Sequence, residues 1–262
     1  MFSVFQSQFF RPAPGMHQDD ALVRIYGHER SMRVAAFGGR GFTRPEYIAL
    51  AERRAVFQEV AAWMREDLIV SATDSAAPRT VDAQFVSPNY FRVAGISLVA
   101  GQGFVGGGRT DDAPDMAAIV SHALATQLYG SAEQAVGQQV LVNRVPLRVA
   151  GVTPGDFQGP IRNMDGLLWL PLSARTSVSR STSPRWMDDA AALSLFARLA
   201  PNASREQATT LARQVVNATL PDSAGRVGMA RSADVVALND RRPRSEATER
   251  FLAAIMMVSM AA

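Results

Sequence analysis

The chain has 262 residues, 47% of them hydrophobic, with a formal charge of +3 and a pI of about 9.9, enough for one large domain or two small ones. All 27 basic residues are arginines, and there is neither lysine nor cysteine, which removes Schiff-base chemistry, a P-loop lysine, thiol nucleophiles, disulfides and cysteine metal sites. The high pI reflects arginine, which keeps its charge to very high pH; the basic residues are spread along the chain instead of forming a phosphate-tracking stripe, so no nucleic-acid partner is expected.

In chain order, residues 1–10 (MFSVFQSQFF) are apolar but lack a basic n-region, so they are not a complete signal peptide. FRPAPG at 10–15 reads as a proline-punctuated exit from that run, and residues 22–26 as a short strand. Thr43-Arg44-Pro45-Glu46 has capping-box spacing with proline in the first turn. The helix it opens is expected to carry Tyr47, Leu50, Phe57, Val60, Ala61 and Met64 largely on one face and to end near residues 63–65. Residues 67–73 read as a strand and 74–79 as a loop.

Residues 81–104 organise the rest. A strand at 81–86 must stop at Ser87, because Pro88 cannot donate to a ladder and biases its predecessor toward an extended shape. Tyr90 and Phe91 then form an aromatic turn of apolar anchors, and an apolar run at 96–100 closes on the glycine bend Gly101-Gln102-Gly103-Phe104. Beyond a glycine- and aspartate-rich loop at 106–115 come a strand at 116–120 and a helix capped by Ser121 that stops at Gly130. Residues 139–152 alternate as a hairpin, with Val140 and Val142 in one arm, Val145, Leu147 and Val149 in the other, and Asn143-Arg144 near the turn. Gly151-Val152-Thr153-Pro154 leads into a bend containing Phe157, and 167–172 (LLWLPL) is a short strand carrying Trp169 and ending in Pro171. Residues 173–183 read as a mobile loop, 193–199 as a strand, and Ser204 to Gln207 as a second capping box. Its helix carries Ala208, Leu211, Ala212, Val215 and Leu220; a last strand lies within 227–238, and NDRRPR at 239–244 is a polar joint. Short strands alternating with helices indicate an α+β architecture in two lobes.

No catalytic constellation emerges. Gly101-x-Gly103-x-x-Gly106 matches the dinucleotide fingerprint by letters, but Gly107, Gly108 and a loop follow where a helix N-terminus must hold the pyrophosphate. The glycines are instead read as permitting a tight bend beneath Phe104. His17, His28 and His122 are far apart and share no metal-ligand spacing. Asp111, Asp112 and Asp115 lack the EF-hand spacing, Asp188-Asp189 is read as a surface pair, and no serine sits in a G-x-S-x-G elbow. No catalytic, cofactor or metal site is expected.

The final residues, 251–262 (FLAAIMMVSMAA), are uncharged; at about 1.5 Å per residue they reach roughly 18 Å, short of a hydrocarbon core of about 30 Å. Two readings are open, a buried C-terminal helix or the start of a membrane span. The lack of a terminating signal leads us to read the chain as a fragment whose two ends lead into spans. In that case both ends of the globular part must leave it side by side.

The chain resembles the MacB-type periplasmic core domain of ABC-transporter permeases. The resemblance rests on VSPNYFRVAGISLVAGQGF (86–104), AIVSHALATQLYG (118–130), AVGQQVLVNRVPLRVAGVTPGDFQG (135–159), LLWLPL (167–172) and ARLAPNASREQA (197–208), in the family's order. The 151–159 segment is most similar to the large multi-copy permeases of soil bacteria, some encoded without an adjacent ATPase. Gln102 departs from the arginine the family commonly carries there. The resemblance implies a porter-like lobe (16–104 and 186–240) with an inserted second lobe (105–185) as partner surface, flanked by the end of a first transmembrane helix (1–15) and the start of a second (245–262). The structural motif it carries over comprises Val86, Ser87, Pro88, Tyr90, Phe91, Gly101, Gly103, Phe104, Gly151, Val152, Pro154, Phe157, Trp169 and Pro171. The function implied is a non-enzymatic, efflux-like relay of ATP-driven helix movement, on the extracytoplasmic side of the bacterial inner membrane. Its partners would be the remaining permease segments, with an ATPase subunit and a periplasmic adaptor or second permease copy. The rival from another class is a free-standing periplasmic interaction or solute-binding module, in which the apolar C-terminal helix folds back onto the domain.

Overall fold

The computed structural model describes residues 21–31, 38–74, 76–104, 115–157, 168–179, 192–219 and 229–238. In chain order these form β1 (Leu22–Ser31), β2 (Gly38–Arg40), α1 (Arg44–Ala51), β3 (Phe57–Ser71), β4 (Arg79–Val86), α2 (Tyr90–Ala94) and β5 (Ala100–Gly101). There follow β6 (Ala117–Val120), α3 (His122–Tyr129), α4 (Ala132–Ala135), β7 (Gln139–Val142), β8 (Val145–Val152) and β9 (Leu168–Pro171). A 3-10 turn (Leu172–Ala174), α5 (Arg175–Val178), β10 (Ser194–Leu199), α6 (Arg205–Ala218) and β11 (Met229–Ala237) complete the described chain. The apolar ends, His17, Asp111-Asp112, Asp188-Asp189 and the 239–244 joint lie outside the described residues.

Both capping boxes form as the spacing indicates. Thr43 N donates to Glu46 Oε2 (2.8 Å) while Glu46 N reaches Thr43 Oγ1 (3.4 Å), and Ser204 and Gln207 exchange the equivalent pair at 2.9 and 3.2 Å. The first of these helices is shorter than expected, however. It ends at Ala51, and Phe57, Val60, Ala61 and Met64 belong to the long strand β3. Residues 60–63 are buried on both faces of the sheet, so they read as a continuous apolar run, whose spacing fits a helix face as well as a strand. Two smaller expectations also change. Tyr90 and Phe91 begin a short helix where an aromatic turn was expected, and the serine-rich stretch after 173 opens as α5.

All the described strands hydrogen-bond into one 11-stranded sheet. At one end, β11-β1-β10-β3 lie in that order, every neighbouring pair antiparallel. With α1 between β1 and β3 and α6 between β10 and β11, this is a split β-α-β unit. Its two helices cover one face with Tyr47, Leu50, Ala208, Ala212, Val215 and Val216.

At the other end the sheet closes on itself. The first half of β3 pairs with β10 and its second half with β4; β4 pairs with β9, β9 with β6, β6 with β8, β8 with β7, and β7 returns to β3. A ring of few strands has an interior just wide enough to be filled by side chains, here Leu68, Val70, Val81, Ala83, Phe85, Val120, Val140, Val142, Leu147, Val149, Leu168 and Leu170. The strand period of two sorts the apolar residues into two clusters. Ala62, Leu68, Ala83, Phe85, Leu168 and Leu170 face the helices and the ring interior, whereas Ala61, Trp63, Val86, Ile119, Trp169 and Phe196 face the opposite side. That second side holds most of the motif carried by residues 86–104.

Candidate functional site

The site begins where β4 ends. Pro88 has no N–H to give, and side chains continue the ladder in its place. Ser87 N donates to Ala62 O (2.8 Å), Ala62 N donates to Ser87 Oγ (3.0 Å), and Asn89 Nδ2 donates to Val60 O (3.0 Å). Ser87 Oγ itself donates to Asn89 Oδ1 (2.7 Å). The chain thus stays pinned to β3 while it turns off the sheet, and α2 lands on the face opposite α1 and α6.

Phe91 is the centre of what α2 delivers. Its ring lies 5.2 Å from Tyr90, 5.7 Å from Trp169, 6.1 Å from Phe157 and 6.3 Å from Phe104, centroid to centroid. Tyr90 packs edge-on against Phe196 of β10, and Phe157 lies 5.5 Å from Trp169. Phe157 reaches the cluster through a turn in which its N–H donates to Pro154 O (3.1 Å). Val86 and Pro171 stand opposite each other at the ends of β4 and β9, and Trp169 stands opposite Gln84. Tyr90 is fully buried and donates to Gln84 Oε1 (2.8 Å). Burial pushes its phenol far above the ordinary tyrosine value; the neighbouring Trp169 indole pulls the other way, although its own N–H completes no hydrogen bond of good geometry.

The glycine bend fastens this cluster to the ring. Val99 N donates to Val152 O and Gln102 N to Ala150 O, both at 2.9 Å, so β5 is clamped on the end of β8. At Gly101 the backbone has φ +75, and an added Cβ would stand 2.1 Å from Ala150 O. At Gly151, where the β6–β8 register shifts by a bulge, it would stand 2.6 Å from Leu98 Cδ1. Around Gly103 there is open space. Gly101→Ala is therefore expected to destabilise the chain by ~1–3 kcal/mol through strain and displacement of β5, and Gly103→Ala to leave it nearly unchanged. Urea melts of the two variants side by side check this; equal effects would contradict it.

The two ends of the described chain meet the same cluster. Leu22 at the start of β1 and Leu238 just after β11 are both buried in it beside Trp63 and Phe196. They are adjacent and run in opposite directions, with Val23 opposite Ala237 and Leu238 N donating to Leu22 O (3.3 Å). A connected set of side chains therefore joins the two exits, through Trp63, Phe196, Tyr90 and Phe91, to Phe104, Trp169 and the ring.

The surroundings offer little chemistry. Pro88, Arg92 and Phe104 line two adjoining open clefts of about 420 and 670 Å3. The polar groups there include Tyr47, Arg54, Gln58 and Asn89, and Arg92 is paired with Glu59 at 2.8 Å. Among the described residues no three His, Asp or Glu side chains stand close enough to hold a metal. His28 Nε2 lies 3.0 Å from Asp234, and His122 opens α3. Of the fingerprint glycines, Gly101 packs against β8 and Gly106 lies outside the described residues. Sequence reasoning missed Gln84, Leu22 and Leu238. Only Gln84 left a trace, as a lone polar side chain between Ala83 and Phe85.

The sequence profile of the MacB-like periplasmic core domain matches residues 2–215. Among solved structures, the chain resembles a domain of a protein described as a permease from Porphyromonas gingivalis (TM-score 0.60, 13% identity, covering 92% of this chain and 99% of that one). It also resembles the periplasmic region of MacB from Actinobacillus actinomycetemcomitans (0.59, 13%, 88% and 94%). A third is the extracellular domain of the noncanonic ABC-type transporter YknZ from Gram-positive bacteria (0.55, 15%, 82% and 99%). At these identities the likeness is one of fold. No curated protein sequence matches the chain. No helix among the described residues is long and apolar enough to cross a membrane.

Proposed function

This chain belongs to the MacB-like periplasmic core domain family, and from that premise we propose that it relays ATP-driven movement of membrane helices to a periplasmic partner or substrate, in the manner of an efflux permease. The observation that carries the proposal is the adjacency of Leu22 and Leu238, both seated in the cluster that packs against the ring. Two strands leaving one point can follow a pair of membrane helices together, and close-packed aromatic side chains pass on displacement because they have little room to absorb it. The chain then lies on the outer side of the bacterial inner membrane and performs no bond-making. Its partners are the remaining permease segments, an ATPase subunit, and an adaptor or second permease copy.

The split β-α-β unit supports the porter-like lobe of residues 16–104 and 186–240, and the inserted lobe at 105–185, which supplies β6, β7, β8 and β9 of the ring, is the part available to a partner. The test uses the membrane-embedded permease. Because this chain has no cysteine, a cysteine placed at exposed Arg54 near α1 or at exposed Arg144 on the ring is the one labelling site within it. Distances from each label to a cytoplasmic reference are expected to change between ATP-bound and nucleotide-free states. Identical distributions in both states would remove the relay from consideration.

A further inference from the structure

The ring is two three-stranded halves joined by two short seams. One half comprises β3, β4 and β9, the other β6, β8 and β7, the latter drawn from the continuous stretch 117–152. Within the halves the pairings are longer, eight residue pairs between β3 and β4 and four each for β4–β9, β6–β8 and β7–β8. Between them there are two pairs at each seam, Ile119–Trp169 with Val120–Leu168, and Val70–Val142 with Ser71–Leu141.

The seams differ in their surroundings. The first is buried on both faces, by the aromatic cluster outside and the apolar interior within. The second is flanked by Ile69, 46% exposed, and by exposed Arg144. One residue fastens it. Asn143 N donates to Ile69 O (2.8 Å), Asn143 Oδ1 accepts from Ile69 N (3.1 Å), and Asn143 Nδ2 donates to Val178 O of α5 (2.9 Å). The residue holds φ 49, a left-handed conformation that asparagine tolerates better than most side chains. The end of α5 is tied down in turn, since Arg175 and Ser179 both bond Glu66 of β3, at 2.9 and 2.5 Å.

We propose that the ring is a clasped barrel. The half formed by residues 117–152 swings open at the β3–β7 seam, hinged on the buried β9–β6 seam, and Asn143 is the clasp. Opening needs two residue pairs, the Asn143 bonds and the Arg79–Gln127 bond between β4 and α3 to part, while every longer pairing stays intact, so it is a sub-global event cheaper than unfolding. It frees one edge of β7 and the end of β3, a pair of strand edges that a second chain could meet. The proposal does not depend on the chain being a relay.

Amide hydrogen exchange on the full chain tests it. The Ile69 and Asn143 amides are expected to exchange through an opening distinctly cheaper than that of the β3–β4 ladder. Asn143→Ala should accelerate Ile69 and the amide at 143 at least about tenfold while leaving residues 82–85 of β4 nearly unchanged. A second variant guards against misfolding of the first. Ser71→Cys with Leu141→Cys joins positions opposite each other in the ladder, at the ~4.5–5.5 Å Cα spacing of antiparallel pairs that suits a disulfide. Its oxidised form should slow the seam amides to the level of the β3–β4 ladder. The proposal is overturned if seam and ladder amides share one opening free energy in the wild-type chain, if Asn143→Ala speeds all amides alike, or if the oxidised pair leaves the seam exchanging as before.

Discussion

Phe91→Ala is expected to destabilise the chain by about 3–5 kcal/mol, the range for removing a buried phenylalanine whose neighbours cannot collapse into the space. The neighbours here are poorly able to do so. Trp169 is fixed in β9 between β4 and β6, Tyr90 is held by its bond to Gln84, and Phe157 is set by the turn at Pro154. Each also loses an aromatic partner at 5.2 to 6.1 Å, and such pairs contribute ~0.5–1.5 kcal/mol beyond area burial. Phe104→Ala is the internal control, because that ring is only partly buried at the rim of the same cluster. Chemical denaturation with matched slopes should rank Phe91→Ala well below Phe104→Ala. Similar midpoints would mean that Phe91 is not the centre of the cluster. On the relay proposed above, Phe91→Ala in the assembled permease would also weaken the coupling of ATP turnover to movement of the ring.

Glu46→Ala is the second large effect, about 3–5 kcal/mol, the cost of leaving a buried charge without its partner. Glu46 is 1% exposed and Arg40 6%. The carboxylate accepts from both terminal nitrogens of Arg40, one at 3.1 Å, and from Thr43 N, so it closes the α1 cap as well as the ion pair. Removing it strands the guanidinium of a residue in β2, which lies above Phe42 at 5.6 Å. The reverse manoeuvre separates charge from packing. Arg40→Met with Glu46→Leu replaces the buried pair by apolar volume and should recover most of the loss, leaving the lost bond from Thr43 N, ~1 kcal/mol. Thermal melts of the single and double variants decide the matter. A double variant as unstable as the single would show that shape, not charge, is what the site demands.

Where the sequence proved legible, a local rule was at work. The capping boxes need only one side chain and one N–H three residues away. The stop at Ser87 follows from the missing proline donor, and the hairpin at 139–152 shows itself by alternation and by Asn143-Arg144, both of which hold positive φ (49 and 70) at its turn. Tyr90, Phe91, Phe104, Phe157 and Trp169 do converge, but the residues that carry their cluster to the chain ends, Leu22 and Leu238, look in the sequence like ordinary aliphatics. β3 was misread because burial on both faces erases periodicity. Ring closure was invisible for a different reason: it depends on Val70 meeting Val142, far apart in sequence, over only two pairs.

β3 also limits how this protein can be divided. Its first half completes the split β-α-β unit and its second half is a stave of the ring, so no cut in the chain yields both parts whole. A chimera that exchanges the ring between relatives must carry residues 64–71 with the graft and join them within an unbroken strand. Variation among such proteins should accordingly accumulate by drift inside the barrel and at its rim, with wholesale module swapping rare.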